Sequence, residues 1–281
     1  MGNPAKNLLK VYFIGAGPGD LELLTLKAAK IIRKADIIIY AGSLVNKDIL
    51  KFAKKASVSY DSSKMTLEEV LGIIDKEKAN KKIIARLHTG DPSLYGAIQE
   101  QMDWCEKKGI TCEVIPGVSS FQAAAASLRQ EFTLPGVSQT VILTRLSGRT
   151  KVPAKEDLEK LAKIRGTLII FLSVQDIGRV VKKLRRGYGQ DTPVAVIERA
   201  SWPDERRIYG TLADITKKVI IAGIKRQALI IVGEVLRKKG YRLSRLYDKG
   251  FGHGFRPARS TLNLLARGRN PVLKQSSALS E

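Results

Sequence analysis

The chain has 281 residues, 44% of them hydrophobic, and carries 49 lysines and arginines against 27 acidic residues, which gives a formal net charge of +22. This length and composition predict one or two globular domains with a large core and argue against a disordered chain. No apolar run is long enough to span a bilayer, and the first ten residues are too few and too polar for a secretory signal. The two cysteines, Cys105 and Cys112, are too few for a disulfide scaffold, so we expect buried free thiols in a reducing cytoplasm.

A glycine-rich loop follows the first predicted strand. The strand covers residues 10–14, the loop reads Gly-Ala-Gly-Pro-Gly-Asp over residues 15–20, and the apolar spacing of residues 21–35 predicts an amphipathic helix capped by Asp20. A dinucleotide site is rejected, because the glycines follow G-x-G-x-G and Asp20 would repel a pyrophosphate. A P-loop is excluded, because no glycine is followed by Lys-Ser or Lys-Thr in the required frame. We therefore expect this loop to leave room above the strand ends for a bulky ligand.

A second loop, at residues 86–96, is the centre of the predicted site. The apolar run at residues 83–85 predicts a buried strand, and the loop after it is dense in turn-forming residues. Gly90 would let a ligand approach the backbone, and Asp91 can accept hydrogen bonds from hydroxyls or an amine. The alternative is an ordinary Gly-Asp-Pro turn that binds nothing.

The rest of the first half predicts a mostly parallel sheet. A strand at residues 111–115 ends in Pro-Gly-Val-Ser-Ser, residues 116–120, and an alanine-rich helix follows at residues 121–129. Such a junction would expose backbone N–H groups and two hydroxyls at the start of the helix. Because strands and helices alternate through residue 130, the strands are expected to run parallel.

The second half is predicted to be mixed α/β. Leu134-Pro135-Gly136 punctuates the chain, so we predict an N-terminal α/β domain at residues 1–135 and a C-terminal α/β domain at residues 136–240. Strands are predicted at residues 140–144, 167–172, 192–198 and 228–232, with helices and a short strand between them. A basic C-terminal extension at residues 241–281 lacks periodicity, and its end is predicted to be disordered.

Much of the positive charge is concentrated near the C-terminus, where residues 237–269 carry many lysines and arginines and few acids. A charge of this size suits nucleic acid, an anionic membrane or a polyanionic small molecule. A surface bias related to high temperature or salt is the alternative that needs no partner.

Five motifs follow one another in a set order: Ile14-Gly15-Ala16-Gly17-Pro18-Gly19-Asp20, Leu24-Thr25-Leu26-Lys27-Ala28, Thr89-Gly90-Asp91-Pro92, Pro116-Gly117-Val118-Ser119-Ser120, and Ala228-Leu229-Ile230-Ile231-Val232-Gly233-Glu234-Val235. Together they resemble the tetrapyrrole (corrin and porphyrin) methyltransferase family. Residues 40–45, 86–98 and 200–205 are most similar to the members that methylate carbon 11 of precorrin-4 or cobalt-precorrin-4. The resemblance implies two α/β domains with S-adenosylmethionine (SAM) in the cleft between them, a homodimer, and an anionic tetrapyrrole as acceptor.

The resemblance also implies site residues. Contacts with SAM fall on Pro18, Thr89, Gly90, Asp91, Leu94, Tyr95, Ser119, Ser120, Leu172, Ala200 and Ala228. Contacts with the acceptor fall on Gly17, Asp20, Ser43, His88, Arg145 and Arg149, and the two arginines suit a carboxylate clamp at a strand end. One departure is Gln227, which stands where the family has a proline.

Several points stay open at this stage. His88 is a base, a substrate contact or a hydrogen-bonded structural histidine, and no general base is named. No metal is expected, because His88 and His253 lie far apart and neither has a partner at ligand spacing. Other members of the same fold, including one that methylates ribosomal RNA, are the alternatives within the enzyme class. A basic nucleic-acid-binding protein is the alternative outside that class.

Overall fold

The computed structural model describes residues 9–80, 82–237 and 239–258. Its first sheet is entirely parallel. Its strand order is β3-β2-β4-β1-β5. This confirms the predicted parallel sheet. The central strands are apolar on both faces, as expected for a sheet covered on both sides by helices. The strands are β1 (Lys10–Gly15), β2 (Ile37–Tyr40), β3 (Val58–Asp61), β4 (Ile83–His88) and β5 (Thr111–Ile115).

Three helices cover this sheet: α1 (Leu26–Lys34), α2 (Leu67–Lys76) and α3 (Gln99–Lys107). The first helix begins later than predicted. Asp20 caps only a short 3-10 turn at Leu21–Leu23, and the chain is extended at Leu24 before Thr25 caps α1. The sequence therefore contains two caps in succession, and only the second one opens an α-helix.

The second half combines strands and helices, as predicted, and its sheet contains both parallel and antiparallel pairs, which the sequence did not predict. Its order is β6-β7-β10-β8-β9, with β6 parallel to β7 and the other pairs antiparallel. The strands are β6 (Val141–Arg145), β7 (Thr167–Phe171), β8 (Pro193–Glu198), β9 (Arg206–Thr211) and β10 (Ala228–Val232). One face packs in a single apolar cluster with the helices α5 (Leu158–Ala162), α6 (Ile177–Leu184) and α7 (Ile215–Ile221).

The other face of the second sheet is covered by α4 (Ser120–Leu128), which follows β5 of the first sheet. Ala123, Ala124 and Leu128 of this helix share a buried cluster with Ile169 of β7 and Ile231 of β10. The helix thus belongs to the first half by chain order and to the second half by packing. The domain boundary at residue 136 stays a prediction. The link between β5 and α4 passes from one sheet to the other, beside the cleft between them.

The C-terminal arm, residues 239–258, is held to the body of the protein at its start and folded on itself near its end. The Arg242 N–H donates to the Pro135 carbonyl at 2.9 Å. The Arg256 guanidinium donates to the carbonyls of Leu246 and Asp248 at 2.7 and 2.8 Å. The predicted disorder at the end of the extension falls on residues 259–281, which lie outside the described part of the chain. Within the described residues no helix has the length and apolar character needed to cross a membrane.

Candidate active site

Three loops meet at the carboxyl edge of the first sheet. Gly15 of β1 pairs with His88 of β4, and the loops that follow these strands form a two-residue bridge in which the Gly90 N–H donates to the Gly17 carbonyl at 2.8 Å. The third loop passes so close that a Cβ on Gly117 would lie 2.3 Å from the Gly90 oxygen. Glycine is required at this position because no side chain fits between the two backbones.

Asp91 links two of these loops. Its Oδ1 accepts from the Ser93 N–H at 2.9 Å and from the Ser93 hydroxyl, while its Oδ2 accepts from the Gly117 N–H at 2.9 Å. Partial burial raises the pKa of the Asp91 carboxyl, but these hydrogen bonds outweigh that effect and leave the pKa below its usual value. Asp91 is therefore an ionised acceptor, and it also fixes the two loops relative to each other.

A cavity of about 360 Å³ opens between the two sheets at this point. Its size is within the range of small-molecule sites, roughly 300–1,000 Å³. All eleven residues assigned to SAM line it: Pro18, Thr89, Gly90, Asp91, Leu94, Tyr95, Ser119 and Ser120 from the first 135 residues, and Leu172, Ala200 and Ala228 from the rest. Ser43, assigned to the acceptor, lines it as well. The structure thus brings these residues together, and their individual roles stay predictions.

Strained backbone is concentrated around the cavity. Five non-glycine residues that line or border it adopt left-handed φ angles: Tyr95 (59°), Leu172 (52°), Arg199 (52°), Ser201 (71°) and Gln227 (52°). Such conformations persist only where the surroundings enforce them, and they are typical of ligand sites. Leu172 is also 64% exposed although it is apolar, and Tyr95 is 45% exposed. Both offer apolar surface that a bound ligand would cover.

His88 does not reach the cavity. It is 5% exposed, its ring centroid lies 6.1 Å from that of Phe13, and its Nε2 atom has no hydrogen-bond partner among the described residues. Burial, together with the nearby Arg86 guanidinium, lowers the pKa of His88 to about 3. The imidazole is therefore neutral, and its position favours the structural histidine over the substrate contact.

The other residues assigned to the acceptor lie outside the walls of the cavity. Gly17 forms the bridge to Gly90, and the Asp20 carboxylate accepts from the Glu22 N–H at 2.9 Å. The Arg145 guanidinium donates to the carbonyls of Thr150 and Lys151, each at 3.0 Å, so it holds the loop after β6 rather than projecting freely. Arg149 is exposed on that same loop.

Sequence reasoning missed several residues of the cavity wall. One of them, Leu44, is in the first half. The others come from strand ends and connecting segments of the second half: Phe171, Val174, Gln175, Ile197, Arg199, Trp202, Lys225, Arg226, Gln227 and Leu229. Trp202 and Gln227 were within reach, because one falls in the distinguishing stretch at residues 200–205 and the other is the noted departure from proline. Among the described residues no group of three or more His, Cys, Asp or Glu side chains is arranged to hold a metal ion.

Comparison with known proteins identifies the family. Residues 10–216 match the family described as Tetrapyrrole (Corrin/Porphyrin) Methylases. The chain is 56% identical to a cobalt-precorrin-4 C(11)-methyltransferase of Methanocaldococcus jannaschii, over 89% of this chain and 97% of that protein. Among solved structures, a cobalt precorrin-4 methyltransferase described as a cobalamin biosynthetic enzyme superposes with a TM-score of 0.79 at 42% identity, covering 81% of this chain and 95% of that one.

A second solved structure bears on the ligand. A uroporphyrin-III C-methyltransferase of Thermus thermophilus, complexed with S-adenosylhomocysteine, superposes with a TM-score of 0.71 at 29% identity, covering 82% of this chain and all of that one. The family match covers well over half of the chain, the cobalt precorrin-4 methyltransferase structure shares its two-sheet architecture, and these two relatives match over nearly their own whole length. The chain therefore belongs to the tetrapyrrole (corrin/porphyrin) methylase family.

Proposed function

We propose that this protein transfers the methyl group of SAM to carbon 11 of precorrin-4 or of its cobalt complex, as a step of cobalamin biosynthesis. The observation that carries the proposal is the Gly90-Asp91 turn, which opens into a cavity walled by both sheets. The 56% identity to a relative named for this reaction supports the choice of acceptor and of the methylated carbon.

The residues of the cavity suit SAM. The first turn of α4 begins at the cavity with Ser119 and Ser120, and the N-terminus of a helix favours a carboxylate such as that of the methionine portion. Asp91 has further acceptor capacity for ribose hydroxyls. Leu172, Ala200 and Ala228 offer apolar surface to the adenine. The sulfonium of SAM supplies a methyl group that is already activated for attack by a ring carbon.

The contribution of the protein is mainly orientation. Holding donor and acceptor in line converts an encounter of two molecules into a reaction within one complex, which can lower the barrier by about 7–11 kcal/mol. The acceptor carries several carboxylates, and the cavity is bordered by Lys225 and Arg226, which are exposed and make no ion pair within the described residues. These two cations are suited to the acceptor carboxylates.

We also place the enzyme in the cytoplasm and expect it to be a homodimer. Light scattering of the purified protein would test the oligomeric state.

The first test measures binding of the donor. Calorimetry with S-adenosylhomocysteine compares the wild type with Asp91→Ala, which removes an acceptor and the link to Gly117, and with Asp103→Ala, whose exposed carboxylate on α3 bonds only Gln99 in the described structure. We expect micromolar-range binding to be lost in Asp91→Ala and kept in Asp103→Ala, with both variants folded by circular dichroism. Equal affinity in all three proteins would contradict the proposed site.

The second test measures the reaction. Incubation with methyl-labelled SAM and a set of precorrin intermediates, with and without cobalt, followed by NMR of the product, should place the label on carbon 11 of the precorrin-4 form. Labelling of another carbon would overturn the proposed regiochemistry while leaving the family intact. Labelling of ribosomal RNA and of no tetrapyrrole would overturn the proposed substrate class.

A further inference from the structure

We infer that Trp202 is a positioning residue for the proposed methyl transfer, and that its indole ring fastens the glycine-rich loop (residues 15–20) to the second half of the protein. The inference rests on the proposed function. We refer to residues 199–205, which connect β8 to β9, as the clamp loop. None of the sequence motifs assigned a role to Trp202, and its place in the structure is defined by contacts with the opposite half of the chain.

The ring of Trp202 occupies the space that Gly19 leaves empty. A Cβ on Gly19 would lie 2.0 Å from the indole Nε1 and 2.1 Å from Cδ1, so any side chain there would displace the ring. The indole N–H donates to the Pro18 carbonyl at 2.8 Å. Next to it, the Asp20 N–H donates to the Ser201 hydroxyl at 3.1 Å. Three successive residues of the glycine-rich loop are thus in contact with two residues of the clamp loop.

The clamp loop is itself firmly held. The Arg199 guanidinium stacks 4.2 Å from the centroid of the Trp202 ring and pairs with Asp204 at 2.6 Å. The Ser201 N–H donates to Glu205 at 2.8 Å, and the Ser127 hydroxyl of α4 donates to the other oxygen of Glu205. Arg199 and Ser201 are both in left-handed conformations, which these contacts stabilise.

The clamp loop therefore touches both first-half elements that border the cavity on this side, the glycine-rich loop through Trp202 and α4 through Glu205. Pro18 and Trp202 both line the cavity. Because Leu172 and Ala228 come from one half and Asp91 from the other, the relative position of the halves fixes where the donor lies against the acceptor. A misplacement of about 1 Å can cost about a hundred-fold in rate.

Another bond crosses the cleft, from the Gln227 amide to the Ser43 carbonyl at 2.9 Å, but it is exposed. Exposed hydrogen bonds compete with water and hold geometry weakly. The seat of Trp202 against the glycine-rich loop is partly buried and involves ring packing as well as a hydrogen bond, so it is the stronger constraint, and it acts directly on the loop beside which the acceptor is expected to lie.

A double-mutant cycle tests the seat. We expect Gly19→Ala and Trp202→Ala each to lower kcat by ten-fold or more, while the dissociation constant for S-adenosylhomocysteine changes by less than three-fold. The combined loss should be smaller than the product of the two single losses, because both changes remove the same contact. The strain that an alanine adds at the φ of Gly19, 155°, does not depend on Trp202 and remains in the double variant. The control is Gly17→Ala, in the same loop and also at a left-handed φ, 74°, whose Cβ would meet Leu23 rather than Trp202. Its effect should multiply with that of Trp202→Ala. Trp202→Phe, which keeps a ring and loses the N–H, should retain part of the activity.

A spectroscopic measurement separates positioning from mere stabilisation. In a Trp104→Phe background Trp202 is the one tryptophan left, and Gly19→Ala should raise its quenching by acrylamide whereas Gly17→Ala should not. Multiplicative effects for Gly19 and Trp202, or a normal kcat with only a lowered Tm, would overturn the clamp. A wild type that binds S-adenosylhomocysteine but methylates no tetrapyrrole would contradict the proposed function instead, and unequal quenching in the two glycine variants would still support the seat.

Discussion

His88 illustrates, for a single residue, how burial decides chemistry. The side chain lies on the same face of β4 as Arg86, whose guanidinium is also buried and bonds the Ser62 hydroxyl at 3.0 Å. Two basic side chains are thus enclosed near each other without a carboxylate among the groups bonded to them in the described structure. Burial lowers the pKa of Arg86 to about 10, so it keeps its charge at neutral pH, and that charge favours the neutral form of His88.

The free energy of unfolding should therefore decrease as the pH is lowered, and part of this decrease should depend on His88. Its folded-state pKa of about 3 lies below the unfolded value of about 6.5, so the stabilisation is complete above pH 6.5 and is lost as the pH falls towards 3. At about 1.36 kcal/mol per pH unit, the loss between pH 6.5 and 5 is about 2 kcal/mol. Urea unfolding at pH 7 and pH 5 should show this difference in the wild type and not in His88→Gln. Equal differences in the two proteins would contradict it.

Leu172 makes the opposite case, an apolar side chain left outside the core. We expect Leu172→Ala to weaken S-adenosylhomocysteine binding about ten-fold, because covering a leucine side chain contributes about 1.5–3 kcal/mol and part of its surface is already covered. The free energy of unfolding should not fall, because the side chain is 64% exposed and an alanine would have the same backbone conformation, with φ at 52°. The control is Leu26→Ala, 80% exposed on α1, which should leave the affinity, measured by calorimetry, unchanged.

At the scale of elements, a glycine-to-alanine substitution should have opposite effects on stability at two places, in the closely packed loops of the site and on the exposed face of a helix. Gly117→Ala would push a Cβ to 2.3 Å from the Gly90 oxygen, so we expect a loss of about 1–3 kcal/mol of stability together with weaker donor binding. Gly72→Ala, exposed in the interior of α2 with open space around it, should gain about 0.5–1 kcal/mol. Denaturant unfolding compares both with the wild type; a stabilised Gly117→Ala would refute the close packing of the loops.

The elements that could be predicted are those whose local pattern decides their structure. The strands β1, β7 and β10 are apolar runs bounded by turns, and the sequence places their ends to within one residue. The strand β4 continues through His88, three residues beyond its predicted end at residue 85, so the predicted loop begins later than expected. The strand β3 escaped prediction because Val58-Ser59-Tyr60-Asp61 lies at the sheet edge and is largely polar. Likewise, nothing in the pattern of α4 tells which sheet its alanine face will cover, because that choice depends on contacts distant in sequence.

The same distinction applies to the site. Eight of the residues assigned to SAM lie in the segments after β1, β4 and β5, and such residues meet because these parallel strands end at one edge. Leu172, Ala200 and Ala228 come from the second sheet, whose strands around them are antiparallel, so their place in the cavity depends on how the two sheets pack. Trp202, Lys225 and Gln227 belong to loops of the second half that reach the cavity only once the two sheets are packed. Arg145 was placed at a strand end correctly, but its bonds to the loop carbonyls could not be read from the sequence.

For the whole molecule, the charge of +22 should govern how the anionic acceptor arrives. We expect kcat/KM for the tetrapyrrole to fall several-fold between 50 and 500 mM NaCl, because salt screens long-range attraction. The affinity for S-adenosylhomocysteine, which carries both signs of charge, should change little. Duplex DNA binding with a steep salt dependence, undiminished in Asp91→Ala, would instead favour the nucleic-acid-binding alternative.

The packing of α4 has a consequence for how the molecule can come apart. A cut between residues 136 and 137 would leave α4 on the first fragment and strip β7 and β10 of their apolar cover. Neither fragment could then bury its hydrophobic surface alone, so we expect the two to be recovered in aggregates when expressed separately and to reconstitute only when co-expressed. For the intact chain, calorimetry should show a single melting transition with equal calorimetric and van't Hoff enthalpies. The two halves should thus unfold together on heating, although each has its own sheet.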